Sequence, residues 1–300
     1  MQTPRTPARA FLWLLALAVP LVAGAQTRVD ERHALSAGGR IELENVAGSI
    51  QVRGWDRDEV ALSGELGADL RLETDASRDR VQYRVVYPRD SRGDRQRSAR
   101  LELRVPRGAE LQVSAVSAGV DIAEVDLRRL GARSVSGKVA AAGRAGESEL
   151  TSVSGAVLAR LATSRLKATS VSGQVDADGV DGEASLETVS GRVQLGASRI
   201  ERLQAQSVSG AIVLRVGALA PGGRVAAESV SGRIELTLPA DTSAALRATT
   251  FSGGIQAPSG EVERPKYGPG RRLETQLGRG NGDITLTSHS GAIGVGFGGR

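Results

Sequence analysis

Cysteine is absent from the 300 residues. The chain therefore has no disulfide framework, no thiolate metal site and no lipid-bearing cysteine near its N-terminus. Aromatic residues make up only 3% of it, against 40% hydrophobic residues overall. The core has to be built from Val, Leu, Ile and Ala. That suits thin, regular layers better than a globular interior anchored on large rings. Histidine occurs only at positions 33 and 289. A serine nucleophile needs a histidine base oriented by a carboxylate. His33 lies outside any motif, and His289 stands where a repeat otherwise carries valine. No Gly-x-Ser-x-Gly elbow surrounds a repeat serine. No catalytic residue, cofactor or metal ligand is assigned on these grounds, and a non-enzymatic protein is expected.

A strong charge excess is also missing. The formal charge of +5 includes Arg5 and Arg9 of a leader segment, so the remainder carries two fewer. That mild excess permits weak attraction to anionic lipid or polysaccharide surfaces. Together with the scarcity of aromatics to stack on bases, it argues against nucleic acid.

The first 25 residues read as a cleavable signal peptide. Arg5 and Arg9 supply the positive end, residues 11–22 the apolar run, and Ala23-Gly24-Ala25 the small-x-small cleavage pattern. The run falls well short of the ~20 residues that span a bilayer, and no later stretch is apolar enough. A periplasmic or extracellular location is expected, with no transmembrane segment in the mature chain.

What is present is a phrase that returns. Val135-Ser136-Gly137, Val153-Ser154-Gly155, Val171-Ser172-Gly173 and Val189-Ser190-Gly191 place their glycines 18 residues apart. Copies follow at Gly210, Gly232, Phe251-Ser252-Gly253 and His289-Ser290-Gly291, and a degenerate one ends at Gly119. A fixed period of this length marks an array architecture. Around each phrase, apolar and polar residues alternate with period two, the pattern of strands buried on one face. One 18-residue unit cannot bury its apolar face alone, but stacked units can. The expected fold is an all-β, single-stranded β-helix (solenoid) with coils of about 18–22 residues, a right-handed coil being favoured. In it Val175, Val193 and Ile212 form one interior column and Leu186 joins another. The alternative is an antiparallel meander or sandwich with Ser-Gly as tight-turn residues. In the solenoid the recurring glycine marks either a positive-φ corner or a close backbone approach. The serine before it bonds backbone amides at the bend. Replacing Gly173 should accordingly cost more than replacing Gly146.

Residues 26–300 are expected to form a single elongated domain. Its parts are irregular N-terminal coils at 26–115, regular repeats at 116–255, a loop excursion at 256–272 and a closing coil at 273–300. Residues 89–100 are rich in arginine and read as a solvated loop. The Arg92-Gly93-Asp94 match to the integrin tripeptide follows from that composition. Asp176, Asp178, Asp181 and Glu183 cluster, but Val180 occupies a ligand position of the nearest calcium-loop template, so a solvated turn is expected. Trp55 reads as a cap of one end of the stack rather than a sugar platform.

Three stretches resemble a bacterial putative adhesin domain family of unknown function. They are Asn45 to Asp56 with its Gly54-Trp55-Asp56, then Leu103 to Gly108, then the Ser-Val-Ser-Gly run closing at Gly282 to Ile293. The resemblance implies an exported β-solenoid at the cell envelope, with no catalytic residue to carry over. An adhesin-like scaffold or binding surface is expected, its partner an envelope polysaccharide, an anionic lipid surface or another envelope protein. An envelope-stress sensory module and a polysaccharide-acting β-helix enzyme remain as alternatives.

Overall fold

The computed structural model describes residues 27–88, 97–266 and 269–298. The leader at residues 1–25 and the Arg92-Gly93-Asp94 match lie outside the described residues. Among them every regular element is a β-strand. In chain order the first are β1 (Thr27–Ala34), β2 (Arg40–Asn45), β3 (Gly48–Trp55), β4 (Glu59–Leu66), β5 (Arg71–Ala76), β6 (Arg80–Val86), β7 (Ala99–Pro106) and β8 (Glu110–Ala115). The repeats then supply β9 (Gly119–Ser134), β10 (Val139–Ser152), β11 (Val157–Ser170), β12 (Val175–Thr188) and β13 (Val193–Ser207).

Strands β10 to β13 pair in parallel, with Val139, Val157, Val175 and Val193 in register. Parallel neighbours joined by short turns can only be stacked coils, because a hairpin meander pairs antiparallel. Each coil is one long strand, bent near its middle and turned back at Val-Ser-Gly. The bend uses Gly143 (φ 129°) and Gly179 (φ 90°), where a side chain would be strained. The two halves form two walls. One wall precedes the Val-Ser-Gly turn and the other follows it.

In the repeats the thin core is filled without rings. Leu150, Ala168, Leu186 and Ala205 succeed one another in one column, while Ser148, Leu166, Ala184 and Leu203 do so two residues away. Wherever one column is large the other is small, so each layer has the same volume and the layers interdigitate. On the second wall Val120, Val139, Val157, Val175, Val193 and Ile212 form an unbroken buried column. Outside the first wall, Arg129, Glu147, Arg165, Glu183 and Arg202 alternate in sign, joined by ion pairs of 2.8–3.3 Å. Each exposed pair contributes at most about 1 kcal/mol. Slipping the stack by one coil would nevertheless set like charge on like.

The turn is held by a hydroxyl, but not the one expected. The serine of Ser-Gly is exposed. Instead, the residue three before the glycine points inward. Ser134, Ser152, Ser170 and Thr188 each accept the N–H of the following glycine at 3.0–3.1 Å and donate to a carbonyl of the coil beneath. Ser170→Ala should strand the Gly173 N–H and the Gly155 carbonyl, costing ~1–3 kcal/mol. Ser172→Ala should stay within ~0.5 kcal/mol. Chemical denaturation of the two variants separates them, and equal losses would refute this assignment.

The glycine column comes from close approach, not from positive φ. A Cβ at Gly155, Gly173 or Gly191 would lie 1.9–2.1 Å from the carbonyl oxygen of the glycine below. In the first repeat Ala118, not Gly119, sits beneath Gly137, and nothing lies within 4 Å of a Cβ at Gly119. The expected spacing of 18 therefore becomes 19 at that point, with Val120 opposite Val139.

The stack does not follow chain order at either end. The remaining strands are β14 (Ile212–Val216), β15 (Leu219–Ser229), β16 (Ile234–Pro239), β17 (Ala244–Thr250), β18 (Ile255–Gln256), β19 (Arg271–Leu277), β20 (Gly282–Ser288) and β21 (Ile293–Gly298). The final coil, β20–β21, lies between β15–β16 on one side and β17–β18 on the other, parallel to both. Gly291 rests on Gly232, and Gly253 on Gly291. At the other end β2–β3 is inserted between β6–β7 and β8–β9. Antiparallel strands finish the stack: β5 on β6, β4 on β7 with β1 outside it, and β19 on β17. Both terminal coils are thus interior.

Candidate functional site

The turn that buries a hydroxyl turns its neighbour outward. Val116, Val135, Val153, Val171, Val189, Val208 and Val230 are all 41–50% exposed. Backbone bonds such as Val171 N–H to the Val153 carbonyl and Val189 N–H to the Val171 carbonyl, both 3.1 Å, hold them one above another. Val46 begins this ridge, and His289 and Phe251 finish it. The last two rings stack face to face, 4.8 Å apart and 9° from parallel. Ten coils at the sheet spacing make a line of ~43 Å. An aligned, exposed apolar row of this length marks an interaction surface, whereas scattered exposed valines would not.

Over its C-terminal half the ridge becomes a groove of about 820 Å³, within the usual range for ligand sites. Val171, Val189, Val208, Val230, His289 and Phe251 line its floor. Pro265, Pro269 and Gly270, from the excursion between β18 and β19, wall one end. Arg271 there donates to the Gly253 carbonyl, and Arg272 pairs with Glu274. One flank carries Thr169, Glu187, Gln206 and Glu228. Gln206 donates to Glu228 at 3.4 Å and Ser185 to Glu187 at 3.4 Å. Neither carboxylate has a cationic partner among the described residues. The groove thus offers an apolar floor beside a row of hydrogen-bonding and negative groups.

The residues weighed for chemistry are dispersed. His33 lies in β1 at one end of the stack, 3.3 Å from Glu31. His289 lies in the ridge near the other. Tyr83 is fully buried with no hydrogen-bond partner for its hydroxyl, and burial pushes its phenol well above the ordinary range. Asp176 is held by both terminal nitrogens of Arg160, at 2.7 and 3.1 Å. The hydrogen bond to that carboxylate pushes the guanidinium above its usual value. Asp178 accepts the Gly179 N–H, and Glu183 belongs to the ion-pair ladder of the other wall. The acidic cluster is therefore split between two faces by the mid-strand bend. Among the described residues no group of three or more His, Asp or Glu could hold a metal ion, and no helix is long and apolar enough to cross a membrane. Trp55 ends β3, one coil in from the end. It donates to the Glu59 carbonyl at 2.8 Å beneath Arg57 and Arg104.

Sequence reasoning did not single out the ridge. Its signal was visible all the same, as a Ser/Thr-Val pair whose valine falls out of phase with the buried positions before it.

Residues 40–295 match the family model Toastrack DUF4097. The chain is also similar to several solved structures. One is a putative lipid binding protein from Parabacteroides distasonis, 13% identical, covering 91% of this chain and 97% of that one with a TM-score of 0.47. Another is a putative adhesin from Parabacteroides merdae, 8% identical, covering 89% and 95% with a TM-score of 0.46. A third is a putative adhesin from Bacteroides fragilis, 11% identical, covering 91% and 98% with a TM-score of 0.36. No curated protein matches the sequence.

Proposed function

This chain belongs to the Toastrack DUF4097 family, and from that premise we propose that it is a non-enzymatic binding scaffold of the cell envelope. Its working surface is the groove along the valine ridge, which holds the apolar chain of an elongated ligand. The observation that carries the reading is the row of valines kept in solvent at the same corner of successive coils. A structural corner has no need of a large apolar side chain facing water, and burying such a row on a ligand recovers the hydrophobic free energy. The valine side chains of the floor offer no hydrogen-bonding group, which suits an acyl-type chain. Glu187 and Glu228 disfavour an anionic group on their flank. The leader read in residues 1–25 supports export. The dispersal of His33, His289 and the acidic residues supports a role without catalysis.

The test is titration with a fluorescent long-chain acyl probe. Wild-type protein is expected to bind it, and Val208→Asp to weaken binding at least ~30-fold by placing a charge in the apolar floor. Because Val208 is exposed, its melting temperature should hardly move. An unbound probe, or equal binding by the variant, would overturn the reading. So would turnover of a uronate or peptidoglycan polymer that a single point mutation abolishes.

A further inference from the structure

Around the Ser-Gly corner from the groove, one stretch of the second wall gathers three arginines. Arg192, Ala211 and Arg233 occupy one column of three successive coils. The two arginines therefore stand ~9.6 Å apart with only a methyl group between them. Four residues along the middle strand from Ala211, ~13 Å away, is Arg215. Arg215 lines two adjoining hollows, each of about 420 Å³. Together these make an elongated trough that follows the strand. Its floor is recessed because the residues there are small, as at Gly196, Ala211 and Gly217. On the next coil beyond Arg233, Ala292, Gly294 and Gly296 leave the wall bare.

These arginines differ from most others in the chain. On the first wall Arg129, Arg165 and Arg202 are each matched to a carboxylate. Among the described residues Arg192 and Arg215 have no carboxylate partner, and only Arg233 has one, Glu235 at 3.3 Å. Asp178, at the far rim, already accepts the Gly179 N–H. Gln194 adds a neutral donor beside Arg192 in the trough. Unpaired guanidiniums along a concave surface suit carboxylate or phosphate groups, which they bind through paired hydrogen bonds.

We propose that this trough is a second binding site, distinct from the groove, for an acidic polysaccharide whose negative groups recur every ~10–14 Å, the arginine separations that the coil and strand repeats set. A polymer is favoured over a membrane because the surface is concave. It also carries no exposed large apolar side chain to insert among lipids, since Val213 in its floor is half-buried.

The experiment is calorimetric titration of the full mature chain with hyaluronan hexasaccharide, which has one carboxylate per disaccharide. Neutral dextran and phosphatidylglycerol vesicles are the comparison arms. Wild-type protein should bind the acidic oligosaccharide, more weakly as salt rises, and should ignore dextran. Removing two charge-assisted contacts with Arg192→Gln plus Arg215→Gln should lower the affinity at least tenfold. Arg129→Gln plus Arg165→Gln removes the same charge from the other wall and should leave affinity within about twofold. Equal losses in the two pairs, no loss in the first pair, or binding to vesicles alone would overturn the proposal. Val208→Asp should leave oligosaccharide binding intact, so failure of the groove reading and failure of this one are separable.

Discussion

Gly173→Val is expected to destabilise the protein by at least ~3 kcal/mol, the upper end of ordinary overpacking. The reason is geometric. A Cβ at Gly173 would sit 2.0 Å from the Gly155 carbonyl oxygen and 2.5 Å from its carbon. Both are backbone atoms of the next coil, which cannot move aside as a flexible side chain could. Relief requires opening the spacing between coils, and that breaks the bonds Val171 and Ser172 make to the Val153 carbonyl. Gly146 is a weaker contrast than the sequence suggested, since its own Cβ would lie 2.8 Å from the Arg128 carbonyl oxygen. Gly254 is the proper comparison. It has no neighbour within 4 Å of a Cβ, so Gly254→Ala should change stability by less than ~1 kcal/mol, in the stabilising direction if at all. Denaturant melts of the two variants decide the matter, and a Gly173 variant as stable as the Gly254 variant would sink the close-approach explanation.

Deletion of residues 282–300 should release the whole C-terminal end rather than shorten it. In a solenoid stacked in chain order, losing the last coil exposes the previous one and little else. Here the last coil is the inner partner of the cap. Leu246 and Ala248 of β17 pair with Ile284 and Leu286 of β20, and Ile255 of β18 with Ile293 of β21. Once β20–β21 is removed, β17 and β19 are left as an isolated hairpin, which is marginal in water. Hydrogen exchange should show protection lost across 244–256 and 271–277 but kept across 139–207. The freed edge of β15 and β16 should also promote association. If protection survived in 244–256 with the final coil gone, the intercalated order would be wrong.

Much of this architecture could be read from residue spacing. The period of 18, the alternation, and the expected column of Val175, Val193 and Ile212 all follow from one rule. Stacked coils must present equal lengths and like residues to one another. The rule was readable because it is local in sequence and repeated many times. Where the chain departs from it, the sequence misled. Gly119 looked like a member of the series, yet Ala118 takes that place, because a one-residue shift costs nothing visible in a single unit. Serine also misled. Ser136 and Ser154 are more conspicuous in the phrase than Ser134 and Ser152, yet only the latter pair faces inward.

The amino-acid order alone determined that the chain is all-β, that its coils stack, and that its core is thin and poor in rings. Each of these depends on period and composition, which a linear string carries in full. Only the tertiary structure decided the order of the outer coils, the exposure of the valine ridge, the groove beside the excursion and the gathering of Arg192, Arg215 and Arg233 on one stretch of wall. Those depend on which distant segments share an edge. Residues 232, 291 and 253 are successive rungs, an arrangement set by placing the final coil inside the stack and capping both of its ends with antiparallel strands, and no spacing in the sequence records it.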